Sequence, residues 1–171
     1  MEYLRHRLMT KDDAMNLRKD ILAIDSWKDG KLTALGKAKS IKNNLELTGD
    51  KKSNEVIQKL FKDNVVNTFA LPKYIHNVMF SQATEGMGYG LHFDAAYMAQ
   101  YRTDLSFTLF LSEPDEYEGG ELCLEMPPEK KTIKLNAGEV LIYPTKYFHE
   151  VKKVTKGERV VSVGWIQSKV G

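Results

Sequence analysis

From about residue 74 onward, the chain is cut into short extended runs, and this limits the possible folds more than any other feature. The clearest run is Asp104–Ser112. Leu105, Phe107, Leu109 and Leu111 share one face, and Ser106, Thr108 and Phe110 share the other, as the two-residue period of a strand requires. Further strands are expected over 74–82, 121–126, 131–135, 139–143, 149–154 and 159–167. Asn136-Ala137-Gly138, Pro144 and Lys156-Gly157 supply turn chemistry between them. The first seventy residues read differently. After an initial strand over 3–8, Thr10 looks like an N-cap with Asp12 and Asp13 in the first turn, and Ala14, Leu17, Ile21 and Leu22 recur at helical spacing. A helix is therefore expected over 11–24. Val56, Ile57, Leu60, Phe61 and Val65 predict a second over 54–67 with that face buried. Residues 31–49 read as irregular or weakly helical, and Leu71-Pro72 breaks into the first core strand. Two helices followed by about eight short strands predict an α+β, mainly β fold, with helices packed on a β-sandwich or barrel. At 171 residues one domain is expected, with 1–72 mostly helical support and 73–168 the strand-rich core.

Within that core the chemistry gathers in three places. His92 and Asp94 are two apart in GYGLHFDAAY, a spacing that puts both side chains on one face of an extended segment. Alone, the pair reads more readily as a surface histidine beside a solvated carboxylate. His149, in YFHE, opens a later strand and changes that balance. Two neutral imidazoles and one carboxylate form the ligand set of mononuclear non-heme iron sites, leaving three coordination positions open. Arg159 follows as the only charge between Glu158 and Lys169, inside an apolar strand, where an unpaired cation is expensive. Two readings of it stand: a pair with an internal carboxylate such as Asp104 or Glu121, or a planar fork left free for an anionic ligand.

Composition narrows the partners. Twenty-five basic and 23 acidic residues leave a net charge of +2, which is no nucleic-acid footprint. The lysines at 28, 31, 37, 39, 42, 51 and 52 are interrupted by acids and amides and read as a solvated surface. A single cysteine, Cys123, excludes an intramolecular disulfide and reads as a packing or surface thiol, as in a reducing cytoplasm. MEYLRHRLMT has no apolar signal region, and no run is long enough to span a bilayer, so a cytoplasmic protein with no membrane partner is expected.

Four blocks carry a family resemblance: WKDGKLTALGKAKSIKNNLEL (27–47), YGLHFDAAYM (89–98), RTDLSFTLFLSEPDEYEGGEL (102–122) and LNAGEVLIYPTKYFHEVKKVTKGERVVSVGWIQS (135–168). The chain resembles the Fe(II)/2-oxoglutarate dioxygenases of the prolyl 4-hydroxylase type, and among them the PKHD-type hydroxylases of bacteria and phages. The resemblance implies a double-stranded β-helix, or jelly roll, preceded by helices. It implies Fe(II) on His92, Asp94 and His149, with 2-oxoglutarate chelating the metal and its distal carboxylate on Arg159. It places Tyr89 and Trp165 at the substrate pocket. Members of the family usually carry a tyrosine nine positions before the first histidine; here that position is Ala83, so Tyr101, Thr108 or Tyr143 is expected to supply the missing co-substrate contact. They also continue beyond WIQS, whereas this sequence ends at Gly171. The implied reaction uses O2 and ascorbate (vitamin C) as reductant, decarboxylates 2-oxoglutarate to succinate and CO2, and hydroxylates a C–H bond. A peptidyl residue such as proline is the first expectation, with Arg102, Tyr97, Tyr101 and Glu116 in loops that could touch it. A free amino acid or other small metabolite, a different co-substrate, and a non-catalytic jelly-roll binding module are the alternatives.

Overall fold

The computed structural model of the chain describes residues 3–34 and 36–171. The N-terminal part runs β1 (Leu4–Arg7), α1 (Lys11–Leu22), β2 (Lys28–Asp29), a 3-10 turn, α2 (Ala38–Ile41), β3 (Lys42–Asn43), β4 (Leu45–Thr48), α3 (Lys52–Lys62) and α4 (Asn64–Ala70). The chain then enters β5 (Pro72–Ala83), β6 (Gly88–His92), β7 (Tyr97–Met98), β8 (Tyr101–Arg102) and β9 (Leu105–Phe110). After a second 3-10 turn come β10 (Tyr117–Gly119), β11 (Leu122–Met126), β12 (Glu129–Ile133), β13 (Glu139–Pro144), β14 (His149–Val151), β15 (Val154–Gly157) and β16 (Arg159–Ser168).

The strands form a seven-stranded sheet in the order β1-β13-β9-β16-β5-β4-β2 and a five-stranded sheet in the order β12-β11-β14-β6-β3. Their pairings are antiparallel. Helices cover one face of the larger sheet, and the smaller sheet covers part of the other, the jelly-roll arrangement. The strand alternation expected over 104–112 separates these two layers. Phe107, Leu109 and Leu111 are buried with Leu17, Ile21, Val56 and Leu60 of the helices, whereas Phe110 is buried with Leu122, Leu124 and Leu141 between the sheets. On β13, Val140 and Ile142 face the helices, while Leu141 and Tyr143 face the smaller sheet. Fully burying each of these side chains contributes about 1.5–3 kcal/mol. Ser106 and Thr108 are buried on the inter-sheet side of β9, a polar choice that packing alone does not explain.

Several elements depart from the sequence expectation. α1 ends at Leu22, two residues early, though Thr10 does cap it by accepting from the Asp13 amide. The single helix expected over 54–67 is two, because Asp63 takes an extended backbone and caps a new helix, accepting from the Val65 and Val66 amides. The interruption shifts the helical phase, so Val66 is buried and Val65 is 45% exposed. The run over 149–154 is also two strands in different sheets: β14 joins β11 and β6, and β15 joins β10. The segment 31–49 contributes β3 to one sheet and β4 to the other, and Lys42, expected in solvent, is buried. Cys123 is buried. Among the described residues, no helix is long and apolar enough to cross a membrane.

Candidate metal centre

β6 and β14 are neighbours in the smaller sheet, and their register sets His92 directly opposite His149. Two glycines let β6 lie where it does. A Cβ on Gly88 would stand 2.8 Å from the Val151 carbonyl oxygen, and one on Gly90 would stand 2.9 Å from Ile41 Cβ. Asp94 follows β6 by two residues, on a loop that Thr103 pins by donating from its hydroxyl to the Ala95 carbonyl and from its amide to the Ala96 carbonyl. His92, Asp94 and His149 converge, with their candidate ligand atoms all within 4.8 Å of one another. His92 Nε2 lies 3.5 Å from Asp94 Oδ1, and His149 Nε2 lies 3.7 Å from Asp94 Oδ2. With metal–ligand bonds of about 2.1 Å, adjacent octahedral ligands sit roughly 3 Å apart, so a small inward movement fits one ion.

The surroundings fix how these groups point. Each histidine turns Nδ1 toward the backbone carbonyl two residues before it: Gly90 O at 2.7 Å for His92, and Tyr147 O at 3.2 Å for His149. A carbonyl only accepts, so Nδ1 carries the proton and a neutral ring presents a bare Nε2 lone pair inward. Burial pushes the His149 imidazole below its ordinary pKa, favouring that neutral form. Asp94 Oδ2 accepts from the Trp165 indole N–H (3.0 Å) and from the Ser106 hydroxyl (3.1 Å); Ser106 in turn accepts from Thr145 at 3.0 Å. Burial pushes the Asp94 carboxyl up, but contact with His92, the nearby His149 and the Trp165 indole outweigh it and hold it down at about 2. The centre is thus a carboxylate and two lone pairs aimed at a common point. Such a set is mutually repulsive unless a cation fills it, and it suits a divalent transition metal.

The three residues open into a cavity of about 890 Å³ that Arg159, Ala83, Thr108, Tyr143, Tyr89 and Trp165 also line. Arg159 is 5% exposed, and its Nε is buried without a hydrogen-bond partner. Among the described residues no carboxylate pairs with it. Asp104, one of the two acids considered from sequence, instead receives Arg102 through Nε and Nη2 at 3.2 and 3.1 Å. Burial lowers the guanidinium pKa, against the opposing influence of the nearby Tyr117 and Tyr143 phenols. Burial raises the Tyr143 phenol pKa, with Asp94 reinforcing and Arg159 opposing, and its ring meets the His149 ring edge-on at 5.4 Å. Tyr89 stacks on the His92 ring at 3.6 Å between centroids.

Three of the residues expected here stand elsewhere. Tyr101 packs its ring on Tyr74 and His76 and is not in the cavity lining. Arg102 is held by Asp104, two residues on, and by the carbonyl of Ser168 at the end of β16. Glu116 likewise pairs with Arg18 at 2.8 Å, while Tyr97 lines the cavity and is 64% exposed. Sequence reading missed other groups. Ser106 and Thr145 were visible only as polar residues at buried strand positions. Lys42 and Glu46 form a buried ion pair of 2.7 Å in the cavity wall, with Thr33 bridging them, and nothing in their local sequence separates them from surface charges. Tyr117, beside Arg159, carried no signal at all.

Comparison with known proteins gives the family and the fold. Residues 78–167 match the family described as the 2OG-Fe(II) oxygenase superfamily. A PKHD-type hydroxylase of Prochlorococcus marinus strain MIT 9313 is 50% identical over 174 residues, covering 98% of this chain and 79% of that protein. Another from strain MIT 9211 is 47% identical, covering 99% and 80%. Among solved structures, a Pseudomonas putida prolyl-4-hydroxylase superposes with a TM-score of 0.77 at 15% identity, covering 98% of this chain and 93% of that one. A Trichoplax adhaerens prolyl hydroxylase, in complex with a hypoxia inducible factor peptide fragment, superposes at 0.73 and 12% identity, covering 97% and 84%. At such identities these two structures speak to the fold alone.

Proposed function

This chain belongs to the 2OG-Fe(II) oxygenase superfamily, and from that premise we propose that it hydroxylates a C–H bond of a peptidyl residue such as proline, releasing succinate and CO2. The family makes it a dioxygenase that uses Fe(II) and 2-oxoglutarate. In this reading His92 Nε2, Asp94 Oδ1 and His149 Nε2 hold the iron. When bound, the metal and its keto-acid supply the oxidising power, with ascorbate as reductant.

The rest falls to this chain's own residues. The Gly90 and Tyr147 carbonyls keep both imidazole lone pairs aimed inward. Trp165 and Ser106 hold Asp94 ionised and in one rotamer. Arg159 takes the distal carboxylate, where burial leaves the bidentate pair unscreened by water. Thr108 and Tyr143 present hydroxyls in the same cavity, and Val161, Val163 and Leu122 line it with apolar surface. Arg159 carries the reading: a buried cation with no carboxylate partner among the described residues, sharing one cavity with the triad.

The peptidyl substrate rests on the cavity mouth. Phe93 and Tyr97 line the cavity and are 59% and 64% exposed, and Phe148 packs on Phe93 at 5.1 Å. An exposed aromatic rim of this kind suits an extended chain bearing a small apolar side chain. The Trichoplax enzyme of the same fold takes a peptide fragment. The test is incubation with Fe(II), 2-oxoglutarate, ascorbate and a proline-containing peptide library, read by mass spectrometry. Expected are peptides heavier by one oxygen atom, with equimolar succinate. Oxygen gained only by free amino acids would shift the reading to a small-metabolite hydroxylase. Absence of succinate with every substrate would refute the assignment.

A further inference from the structure

Arg159 cannot be the whole of its own subsite. Its neighbour across the sheet in register is Ala83, on β5. Ala83 packs with Tyr117, Val154 and Met87 in a small cluster of its own, separate from the two main cores. Tyr117 is 2% exposed and rigidly held. β10 pairs it with Gly157, Lys134 Nζ lies 4.1 Å from its ring centroid, and the same ammonium donates to its carbonyl at 2.5 Å. The small side chain at 83 thus sets the Tyr117 cluster beside Arg159, which lies across the sheet from it. Among the buried side-chain atoms without a hydrogen-bond partner are Tyr117 Oη and Arg159 Nε. The phenol oxygen can accept and the Nε–H can only donate; the two side chains interact, yet neither of these two atoms has a hydrogen bond of ordinary geometry. A buried polar atom left unpaired costs about 1–3 kcal/mol, so two neighbouring side chains that each leave one unpaired would gain by satisfying each other.

We propose that Tyr117 is the positioning residue of Arg159: its hydroxyl accepts the Nε–H when an anionic ligand takes the two terminal guanidinium nitrogens. The arginine has five donors, and an end-on carboxylate engages only Nη1 and Nη2. Nε is then left for a group behind the guanidinium. Tyr117 is not among the cavity-lining residues, whereas Arg159 and Ala83 are, so the phenol acts through the arginine and not on the ligand. Burial keeps Tyr117 a neutral phenol, able to accept from Arg159 without neutralising its charge. Ala83 and Tyr117 then form a complementary pair: the phenol reaches the arginine from β10 because β5 offers no bulk there. This inference rests on the proposed role of Arg159 and deepens it.

The experiment compares two keto-acids by calorimetry on the Mn(II)-loaded protein: 2-oxoglutarate, and pyruvate, which lacks the distal carboxylate. Tyr117→Phe keeps the ring, and hence its packing on Ala83, Val154 and Lys134. It is expected to weaken 2-oxoglutarate about tenfold while leaving pyruvate affinity and Mn(II) affinity unchanged. Arg159→Gln is expected to weaken 2-oxoglutarate by a larger factor, again sparing pyruvate. If Tyr117→Phe weakens both keto-acids equally, or neither, Tyr117 does not position the arginine and the inference is overturned. If Arg159→Gln fails to weaken 2-oxoglutarate selectively, the role of Arg159 falls, and the inference with it. The two failures are therefore told apart by which variant loses the discrimination.

Discussion

The side chain with most leverage on the candidate centre, after the ligands themselves, is Trp165. Its indole N–H donates to Asp94 Oδ2, on the side away from the His92 contact, and together with Ser106 it leaves Oδ1 as the atom free to bind. Groups that orient a metal ligand typically change metal affinity or activity about 10- to 100-fold when removed. Trp165→Phe keeps most of the ring volume and deletes the donor. Fe(II) titration of this variant is expected to show affinity reduced within that range, with the melting temperature little changed. An affinity equal to that of the parent would show that Ser106 alone orients the carboxylate. Lys42 teaches a different lesson about single residues. A lysine in a run of charged and amide residues became a buried partner of Glu46, because β3 and β4 carry that segment into the cavity wall.

At the scale of elements, capping decided what periodicity did not. The apolar spacing over 54–67 continues across Asp63, yet the helix stops there because the Asp63 carboxylate offers the Val65 and Val66 amides a better partner than a continuing turn does. Asp63 also receives His6 Nε2 at 2.8 Å, tying the new helix to the neighbour of β13 in the larger sheet. Burial pushes its pKa up, but the Val66 amide, His6 and the Val65 amide overcome that and hold it below the ordinary carboxylate value. A depressed folded-state pKa stabilises at pH values above the unfolded pKa of about 4, and the contribution is lost as pH falls through the folded value. Asp63→Ala is therefore expected to lower stability by about 1 kcal/mol at neutral pH, or roughly 2–4 °C in Tm. The difference from the parent should shrink as the buffer is taken below about pH 4. A gap that stays constant down to strongly acidic conditions would mean that the carboxylate charge is not what caps the helix.

For the whole molecule, the relevant fact is that the centre draws on both sheets. His92 and His149 come from the smaller sheet, while Ser106 and Trp165, which clamp Asp94, come from β9 and β16 of the larger one. A metal that binds only when the two sheets are apposed must stabilise their apposition. At a hundredfold excess over its Kd, a divalent ion is expected to add about 2.7 kcal/mol, a rise of roughly 5–10 °C in Tm for a chain of this size. Chelation should reverse the rise, and His149→Ala should abolish it. A thermal shift of the same size in His149→Ala would place the stabilising ion somewhere other than this centre.

The strand-rich core, the two faces of β9 and the residue types from which a metal centre could be built were legible in the order of residues alone. These rest on alternation, turn chemistry and ligand preference, which are local or nearly local properties. They are carried by residues such as Phe107 and Leu109 on one face and Ser106 and Thr108 on the other. The remainder was decided by packing between segments distant along the chain. Register across β6 and β14 set His92 against His149, and the fold brought no carboxylate to Arg159 among the described residues. The same packing excluded Tyr101 from the cavity and brought Tyr117 to the arginine. No local pattern encodes these outcomes, because each depends on which side chains the two closed sheets bring within hydrogen-bonding or van der Waals reach.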